Sequence, residues 1–410
     1  MNIREKTYIS DENKITLENI AGELRAEISR RGGEMTDEEA LLMIESFVFS
    51  NEKLTMLPYA EKSEIINRVF CALRKDLDIL QPYVDDDEIS EIMVNGKDDI
   101  FIERKGKIEK SEAYFEKVED LEEVIRRICA KVYREINELN PIVDARLASG
   151  ARVNAVYKNI AINGPILTIR KFPKKEITMD MLIRNGSLTE EAAVYLKKLV
   201  ISGYNIFVSG GTSSGKTTFL NVLSSYIPKD ERVIVIEDSA ELQINEVKNI
   251  VRLECRNANV QGKGKVDMKQ LIKTSLMMRP DRIIVGEVRG EEVLDMIQAM
   301  NTGHDGSLST GHGNSIEGML RRLESMFLQA ADFPIEAIRA QIAEGIDIIV
   351  HMGRLSDKSR KVLEIAEIKT FDGKNILLNP LFKYKANAGL VKSENSLFNR
   401  GKLELKGVEL

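Results

Sequence analysis

The sequence predicts an α/β chain: a largely parallel sheet covered by helices on both faces, preceded by a smaller α/β domain and a helical N-terminal extension. Three observations predict it. From Asn205 onward apolar strands alternate with amphipathic helices: "NIFVSG", the helix after Lys216, "RVIVIED", "NIVRLE", "DMKQLIKTSLMMR", "RIIVGE" and "EEVLDMIQAMN". That rhythm belongs to parallel strands buried on both sides by their crossovers. The 410 residues also exceed what one hydrophobic core supports, so two or three domains are expected. Composition agrees, because 43% hydrophobic residues against 30% charged, with no Trp, describes a folded chain with aliphatic cores.

In chain order, residues 1–82 read as the helical extension, with "EEALLMIESFVF" and "EKSEIINRVFCALRKDLDIL" apolar at steps of three and four. Residues 83–172 read as the small α/β domain. Its short strands surround "NGKDD" and "RKGK" turns, a helix carries Leu121, Val124, Ile125, Ile128, Val132 and Ile136 on one face, and "VDARLASGARVNAVY" and "PILTIRKF" follow as strands. Pro, Gly and charge in 173–188 predict a hinge, and "SLTE" is a capping box opening the helix that stops at Gly203. The larger α/β domain is expected over 189–385, with a hairpin at "FDGKN", and 386–410 as a loosely held tail.

Several function classes are disfavoured. A net charge of -6 lacks the basic excess of proteins that capture nucleic acid broadly. Cys71, Cys129 and Cys255 lie far apart with no CxxC pair, which predicts no zinc module and a reducing cytoplasm. "MNIREKTYISDENK" has no apolar signal core, and no run approaches the roughly 18 to 20 apolar residues of a membrane span, so membrane contact is expected through a partner.

The strongest chemical signal is "GGTSSGKTT": Gly210, Gly211, Thr212, Ser213, Ser214, Gly215, Lys216, Thr217 and Thr218. It matches the phosphate-binding loop G-x-x-x-x-G-K-[ST], with the required strand before it and helix after it. Backbone amides at the helix N-terminus face anionic phosphates, the glycines let the backbone approach, Lys216 supplies charge and Thr217 a hydroxyl for Mg. Two apolar strands then end in acids. "VIVIED" delivers Glu237 and "RIIVGE" delivers Glu287, at the carboxyl ends where parallel sheets bind ligands. Gly286 occupies the place where many P-loop enzymes keep a metal-holding Asp, which leaves water polarisation to Glu287 and makes Glu237 the candidate second carboxylate near Mg or water.

"TGHDGSLSTGHGNS" holds His304 and His312 eight residues apart, without the pairing or carboxylates of a zinc site. "SLST" should be the next strand, which brings His312 to the sheet edge of the phosphate loop as a sensor of the γ phosphate. His304 is a second such candidate or simply a partner for a loop carbonyl. Arg146, Arg152 and Arg170 precede the hinge. A lone Arg there is ordinarily an exposed strand residue, but charge developing on a transferred phosphate is often met by Arg from another domain or subunit.

From about Ile89 to Phe382 the chain closely resembles the secretion and type IV pilus ATPase superfamily, in particular the branch that assembles Flp or Tad pili. "EIMVNG", "DARLASGARVNAV", "GPILTIRKF", "SGGTSSGKTT", "IEDSAELQ", "MRPDRIIVGEVRGEE" and "DMIQAMNTGHDGSLST" carry the likeness. The resemblance implies a RecA-like P-loop ATPase domain behind an N-terminal domain, nucleotide between the two, and a homo-hexamer that uses ATP and Mg to drive an inner-membrane platform protein from the cytoplasmic face. It further implies that Glu237 belongs to the acidic Asp box, that Glu287 is the Walker B glutamate, that His304 and His312 form the His box, and that Arg146, Arg152 and Arg170 reach nucleotide from the N-terminal side. Two other readings are a RecA-like nucleic-acid translocase, disfavoured by the acidic balance, and a nucleotide-binding scaffold that does not turn over. The chain departs from the family pattern at "GHGNS", where Gly311 and Gly313 flank His312 and predict a loosened backbone at the sensor.

Overall fold

A computed structural model describes residues 36–410 apart from 52–53, 133, 148, 173–176, 257 and 259–262. The first 35 residues of the expected extension, and 173–176 at the start of the expected hinge, lie outside the described residues; later in that stretch Met179, Leu182 and Leu188 are buried in the core of the second unit. Contacts divide the chain into two units, Met1–Lys174 and Lys175–Leu410.

The first unit opens with helices α1 (Asp37–Ser50) and α2 (Tyr59–Arg74). Thr36 and Glu39 form a reciprocal capping box that satisfies orphan amides at the start of α1. Ala40, Ile44 and Val48 recur every four residues and are buried, and Ile44 and Val48 pack with Ile65, Ile66 and Val69 of α2, giving the pair a small core of its own. A short α3 (Gln81–Asp85) leads to six strands: β1 (Ile89–Asn95), β2 (Ile100–Arg104), β3 (Lys107–Lys110), β4 (Ile142–Arg146), β5 (Arg152–Val156) and β6 (Ile166–Arg170). They form one antiparallel sheet in the order β3-β2-β1-β6-β5-β4. Helix α4 (Val118–Lys131) sets Leu121, Val124, Ile125 and Ile128 on its core. It ends earlier than the apolar spacing predicts: the amides of Val132 and Arg134 both turn back to the Cys129 carbonyl, and Ile136 reaches the core from beyond the helix.

The second unit holds α5 (Met179–Arg184), α6 (Glu190–Ile201), β7 (Ile206–Gly210), α7 (Lys216–Ser224), β8 (Arg232–Glu237), β9 (Asn249–Glu254), α8 (Met268–Leu276), β10 (Arg282–Val288), α9 (Glu292–Asn301), β11 (Leu308–His312), α10 (Ile316–Ala330), α11 (Ile335–Gly345) and β12 (Ile348–Arg354). Then come β13 (Arg360–Phe371), β14 (Ile376–Lys385), β15 (Gly389–Lys392) and α12 (Gly401–Lys406). The nine strands run in the order β15-β14-β13-β12-β7-β11-β10-β8-β9, parallel from β12 to β9 and antiparallel through the last three. Strand side chains alternate between two cores. Ile206, Val208, Val233, Val235, Ile348 and Val350 meet α6 and α7, while Phe207, Ile234, Ile236 and Ile349 meet α8 to α11. A sheet buried on both faces is what the near-continuous apolar strands require. The order places β7, which carries the phosphate loop, between β12 and β11 at the centre.

The expectation of a loosely held tail is corrected. Leu397 and Leu403 are buried in the α6–α7 core, and the buried Glu367 carboxylate accepts the amides of Phe398 at 2.8 Å and Asn399 at 2.7 Å. Lys402 bridges Asp305 and Asp347, each at 2.7 Å, and Tyr204 donates to the Asn399 carbonyl at 2.6 Å. Deleting residues 396–410 takes two amide donors from the buried Glu367 carboxylate, which keeps Asn379, and takes Lys402 from Asp347, which keeps the Asn205 amide. The expected cost is roughly 3–5 kcal/mol, measured as a lowered Tm by circular dichroism; an unchanged Tm would show the segment to be dispensable.

Candidate functional site

The site is built where four parallel strands end. Gly210 closes β7, and a Cβ there would fall 2.5 Å from the Met352 carbonyl oxygen and 2.6 Å from Ser214 Oγ, so only glycine lets the loop turn under β12. Gly215 holds φ +94°, the left-handed turn from which α7 starts at Lys216. The loop then presents the first amides of α7, which lack intrahelical partners. Thr212 and Ser213 are exposed, and Thr217 and Thr218 are half-buried in the first helical turn. Ser214 Oγ is buried with no hydrogen-bond partner among the described residues. An orphan hydroxyl beside unpaired amides at a helix N-terminus fits a bound phosphate group, with the Thr217 hydroxyl in the place of a Mg ligand.

Lys216 donates to the Gly211 carbonyl at 2.9 Å and lies 3.3 Å from His312 Nδ1. Burial holds its pKa below the ordinary lysine value, with Glu287 acting in the opposite sense. His312 ends β11 directly opposite Gly210. Its Nε2 stands 2.8 Å from Glu287 Oε1, and the other carboxylate oxygen of Glu287 takes Arg289 Nη2 at 3.1 Å. Burial lowers the pKa of His312, against the pull of Glu287, so the ring is neutral near pH 7. Lys216 at the start of α7, His312 at the end of β11 and Glu287 near the end of β10 thus lie side by side in one row.

Gly311 and Gly313 are held by packing in this structure. Neither has a positive φ. A Cβ on Gly311 would lie 2.8 Å from Phe207 Cζ and 2.9 Å from Met319 Cε, and one on Gly313 3.0 Å from Met319 Cβ. The glycines make room for Phe207 and Met319 to pack against the strand, and the backbone stays in register through His312.

Glu237 and His304 stand apart from the row. Glu237, at the end of β8, is 4% exposed and turns its Oε1 to the amides of Glu241 at 2.8 Å and Leu242 at 3.0 Å. A Cβ on residue 286 would come within 3.0 Å of its Cγ, so Gly286 leaves the space that Glu237 fills. Burial raises its pKa from 4.5 to about 7 against those two amide bonds. The folded chain therefore keeps a proton that the unfolded chain releases in this window, and stability falls as pH rises from 4.5 to about 7. Glu237→Gln is expected to flatten that fall by roughly 3 kcal/mol, read from urea unfolding at the two ends of the window; equal slopes in both proteins would refute the assignment. His304 lies before β11, at the opposite end from the phosphate loop, where Nδ1 bonds the Ala299 carbonyl at 3.1 Å at the end of α9. Of its two readings, this geometry is the loop-carbonyl one.

In the first unit, Arg146 pairs across the strands with Arg152, and Arg152 with Arg170, one row on β4, β5 and β6. Arg146 Nε donates to the Gly150 carbonyl at 2.9 Å, and Glu91 stands opposite Arg170.

Three contributors escape a sequence reading. Arg289 joins Glu287 to Asp238, the latter at 3.6 Å. Arg360 donates Nε to the Ser213 carbonyl at 3.0 Å. His351 on β12 lies 2.8 Å from Ser209 Oγ beneath the loop. Only Arg289 leaves a local signal, two residues after Glu287; the others depend on which strands neighbour β7.

Comparison with known proteins agrees with this architecture. The family described as Type II/IV secretion system protein matches residues 74–398. Conjugal transfer protein TrbB of Rhizobium radiobacter is 34% identical over 293 residues, 70% of this chain and 86% of that one. Type IV secretion system protein PtlH of Bordetella pertussis is 30% identical over 315 residues, 70% of this chain and 93% of that one. The crystal structure of the Yersinia pseudotuberculosis ATPase DotB shares the fold at a TM-score of 0.53 and 19% identity, covering 72% of this chain and 79% of that one. With the phosphate loop, the acid-ended strands and the match over most of its length, the chain belongs to the type II/IV secretion system protein family and has the RecA-like α/β fold of its secretion ATPases.

Proposed function

We propose that the chain is an ATP-hydrolysing motor subunit that works as a homo-hexamer with Mg and powers assembly of Flp/Tad-type pili or protein secretion. The carrying observation is the row from Lys216 through His312 to Glu287, with Glu287 Oε1 2.8 Å from His312 Nε2. In this reading the loop amides and Lys216 hold the phosphates, and Thr217 with its neighbours holds the metal that neutralises their charge. Glu287 takes the proton of the attacking water, and His312 follows the terminal phosphate through its tie to Lys216. Glu237 acts from behind by fixing the turn after β8. The arginine row of the first unit is the candidate for meeting charge on the transferred phosphate, supplied by this or a neighbouring subunit.

None of the helices among the described residues is long and apolar enough to cross a membrane. We assign the motor to the cytoplasmic face of the membrane, held there by a platform protein. The names of relatives favour a second setting, the motor of a conjugation-type secretion apparatus. A purified chain should release phosphate from ATP only with Mg, form a ring when nucleotide is present, and lose turnover but not binding as Glu287→Gln. Identifying the membrane protein that co-purifies separates a pilus platform from a conjugation channel.

A further inference from the structure

We propose that Arg360 is a positioning residue that braces the phosphate loop from outside, holding residues 213–215 in the conformation that receives phosphates. The inference rests on the nucleotide-binding part of the reading above and concerns how the loop is kept ready for its ligand.

The loop has few anchors of its own. Thr212 and Ser213 are exposed, and a Cβ on Gly211 would meet nothing within 4 Å. Ser213 holds φ +58° without being glycine, and Gly215 follows at φ +94°. Two left-handed residues in three make the turn that aims the first amides of α7, and a non-glycine residue stays in that region only when its surroundings hold it there. From within, the Ser214 amide reaches the Gly211 carbonyl at 3.3 Å, and Lys216 Nζ reaches the same carbonyl at 2.9 Å. Lys216 must leave that carbonyl to meet a phosphate.

Among the described residues, one hydrogen bond reaches residues 211–215 from outside the loop and α7: Arg360 donates Nε to the Ser213 carbonyl at 3.0 Å. The stem of the same side chain covers the bare face of Gly215, where a Cβ would lie 3.2 Å from Arg360 Cδ and 3.9 Å from its Cβ. One side chain thus touches both left-handed residues. The bond takes a carbonyl, so it holds the turn without occupying an amide that a phosphate needs. Arg360 opens β13, and its base is fixed on both sides. In the hairpin before it, the Leu355 amide donates to the Ser359 carbonyl at 2.9 Å and Ser359 Oγ to Asp357 at 2.6 Å. After it, Lys361 Nζ donates to the carbonyls of Asn185 at 3.2 Å and Gly186 at 2.6 Å, and the Val362 amide to that of Ser187 at 2.8 Å. Arg360 itself is exposed and belongs to neither core, so its loss should be felt in the loop and not in the stability of the unit.

Three variants separate donor from stem. Arg360→Met keeps the stem and loses the donor, Arg360→Ala loses both, and Arg360→Lys keeps a stem with a charged donor at its end. The full chain is titrated with ADP, a non-hydrolysable ATP analogue and inorganic pyrophosphate, and hydrogen exchange of residues 212–217 is followed without ligand. Arg360→Met should raise Kd for all three ligands by a common factor on the order of fivefold to tenfold, with faster ligand-free exchange of 212–217 and an unchanged Tm. Arg360→Ala should lose more, and Arg360→Lys should return both readouts toward wild type. Unchanged exchange in Arg360→Met overturns the proposal whatever happens to affinity, because the loop then holds itself and any lost affinity is a direct contact with the ligand. A loss for ADP and the analogue that spares pyrophosphate overturns it by moving Arg360 to the nucleoside. Unchanged affinities, a Lys variant no better than Met, or affinity lost together with Tm overturn it as well. A wild-type chain that binds ADP without hydrolysing ATP would sink the ATPase reading and leave these measurements to decide the role of Arg360.

Discussion

Glu287→Gln is expected to lower ATP turnover by roughly 10²-fold or more while nucleotide affinity and ring assembly stay near wild type. The carboxylate lies at the carboxyl end of β10, with one oxygen 2.8 Å from His312 Nε2 and the other 3.1 Å from Arg289 Nη2. Gln matches its shape and keeps one carbonyl oxygen, so the packing around β10 survives. What it loses is the negative charge, and with it the ability to take a proton from water in the transition state. Binding rests on other groups: the loop amides, Lys216 and the partnerless Ser214 hydroxyl. Single-turnover phosphate release with saturating ATP, set beside fluorescent-nucleotide titration, separates the two. Lys216→Ala should show the opposite pattern, with affinity lost first. Turnover unchanged in Glu287→Gln would remove Glu287 from the chemistry and with it the order of events proposed for the row.

The phosphate loop was legible because its chemistry is written in nine consecutive residues flanked by a strand and a helix. The acids were legible because "VIVIE" and "RIIVGE" are apolar strands with a charge at the end, and in a parallel sheet every such end faces the ligand side. His312 followed from counting along one strand. His351 could not be found that way. It is 142 residues from Ser209 in sequence, and only the order β12-β7-β11 makes them neighbours. The glycines around His312 are ambiguous in sequence for a different reason. Glycine in sequence signals either backbone freedom or lack of room, and the second applies here because Phe207 and Met319 occupy the space. The C-terminal segment was not legible because its apolar residues, Leu397, Phe398, Leu403, Leu405 and Val408, follow no clean period. Their anchors, Glu367, Asp347 and Tyr204, belong to elements far upstream.

Removing Glu231 should destabilise the second unit more than removing its partner Arg282, and removing both should cost less than removing Glu231 alone. Arg282 opens β10 and is 1% exposed, the largest fully buried side chain among the described residues. Its guanidinium engages Glu231 through Nε and through Nη2 at 3.0 Å, and donates Nη1 to the Val200 carbonyl at 2.6 Å. Gly306, at φ +81°, has no side chain because a Cβ would overlap that guanidinium. Arg keeps its charge under any condition a protein survives, so in Glu231→Leu an unpaired cation stays buried at the foot of the parallel sheet. The expected cost is about 3–5 kcal/mol, a fall in Tm on the order of 10 °C for a domain of this size. In Arg282→Met the residue left behind is Glu231, whose side chain is 17% exposed and can recover water, so the loss is smaller. The double variant removes the buried charge altogether, and a positive coupling in the double-mutant cycle follows. Urea unfolding of the four proteins reads all three terms. Additive losses, or an Arg282→Met protein weaker than Glu231→Leu, would mean that packing volume at residue 282, rather than charge compensation, holds this end of the sheet together.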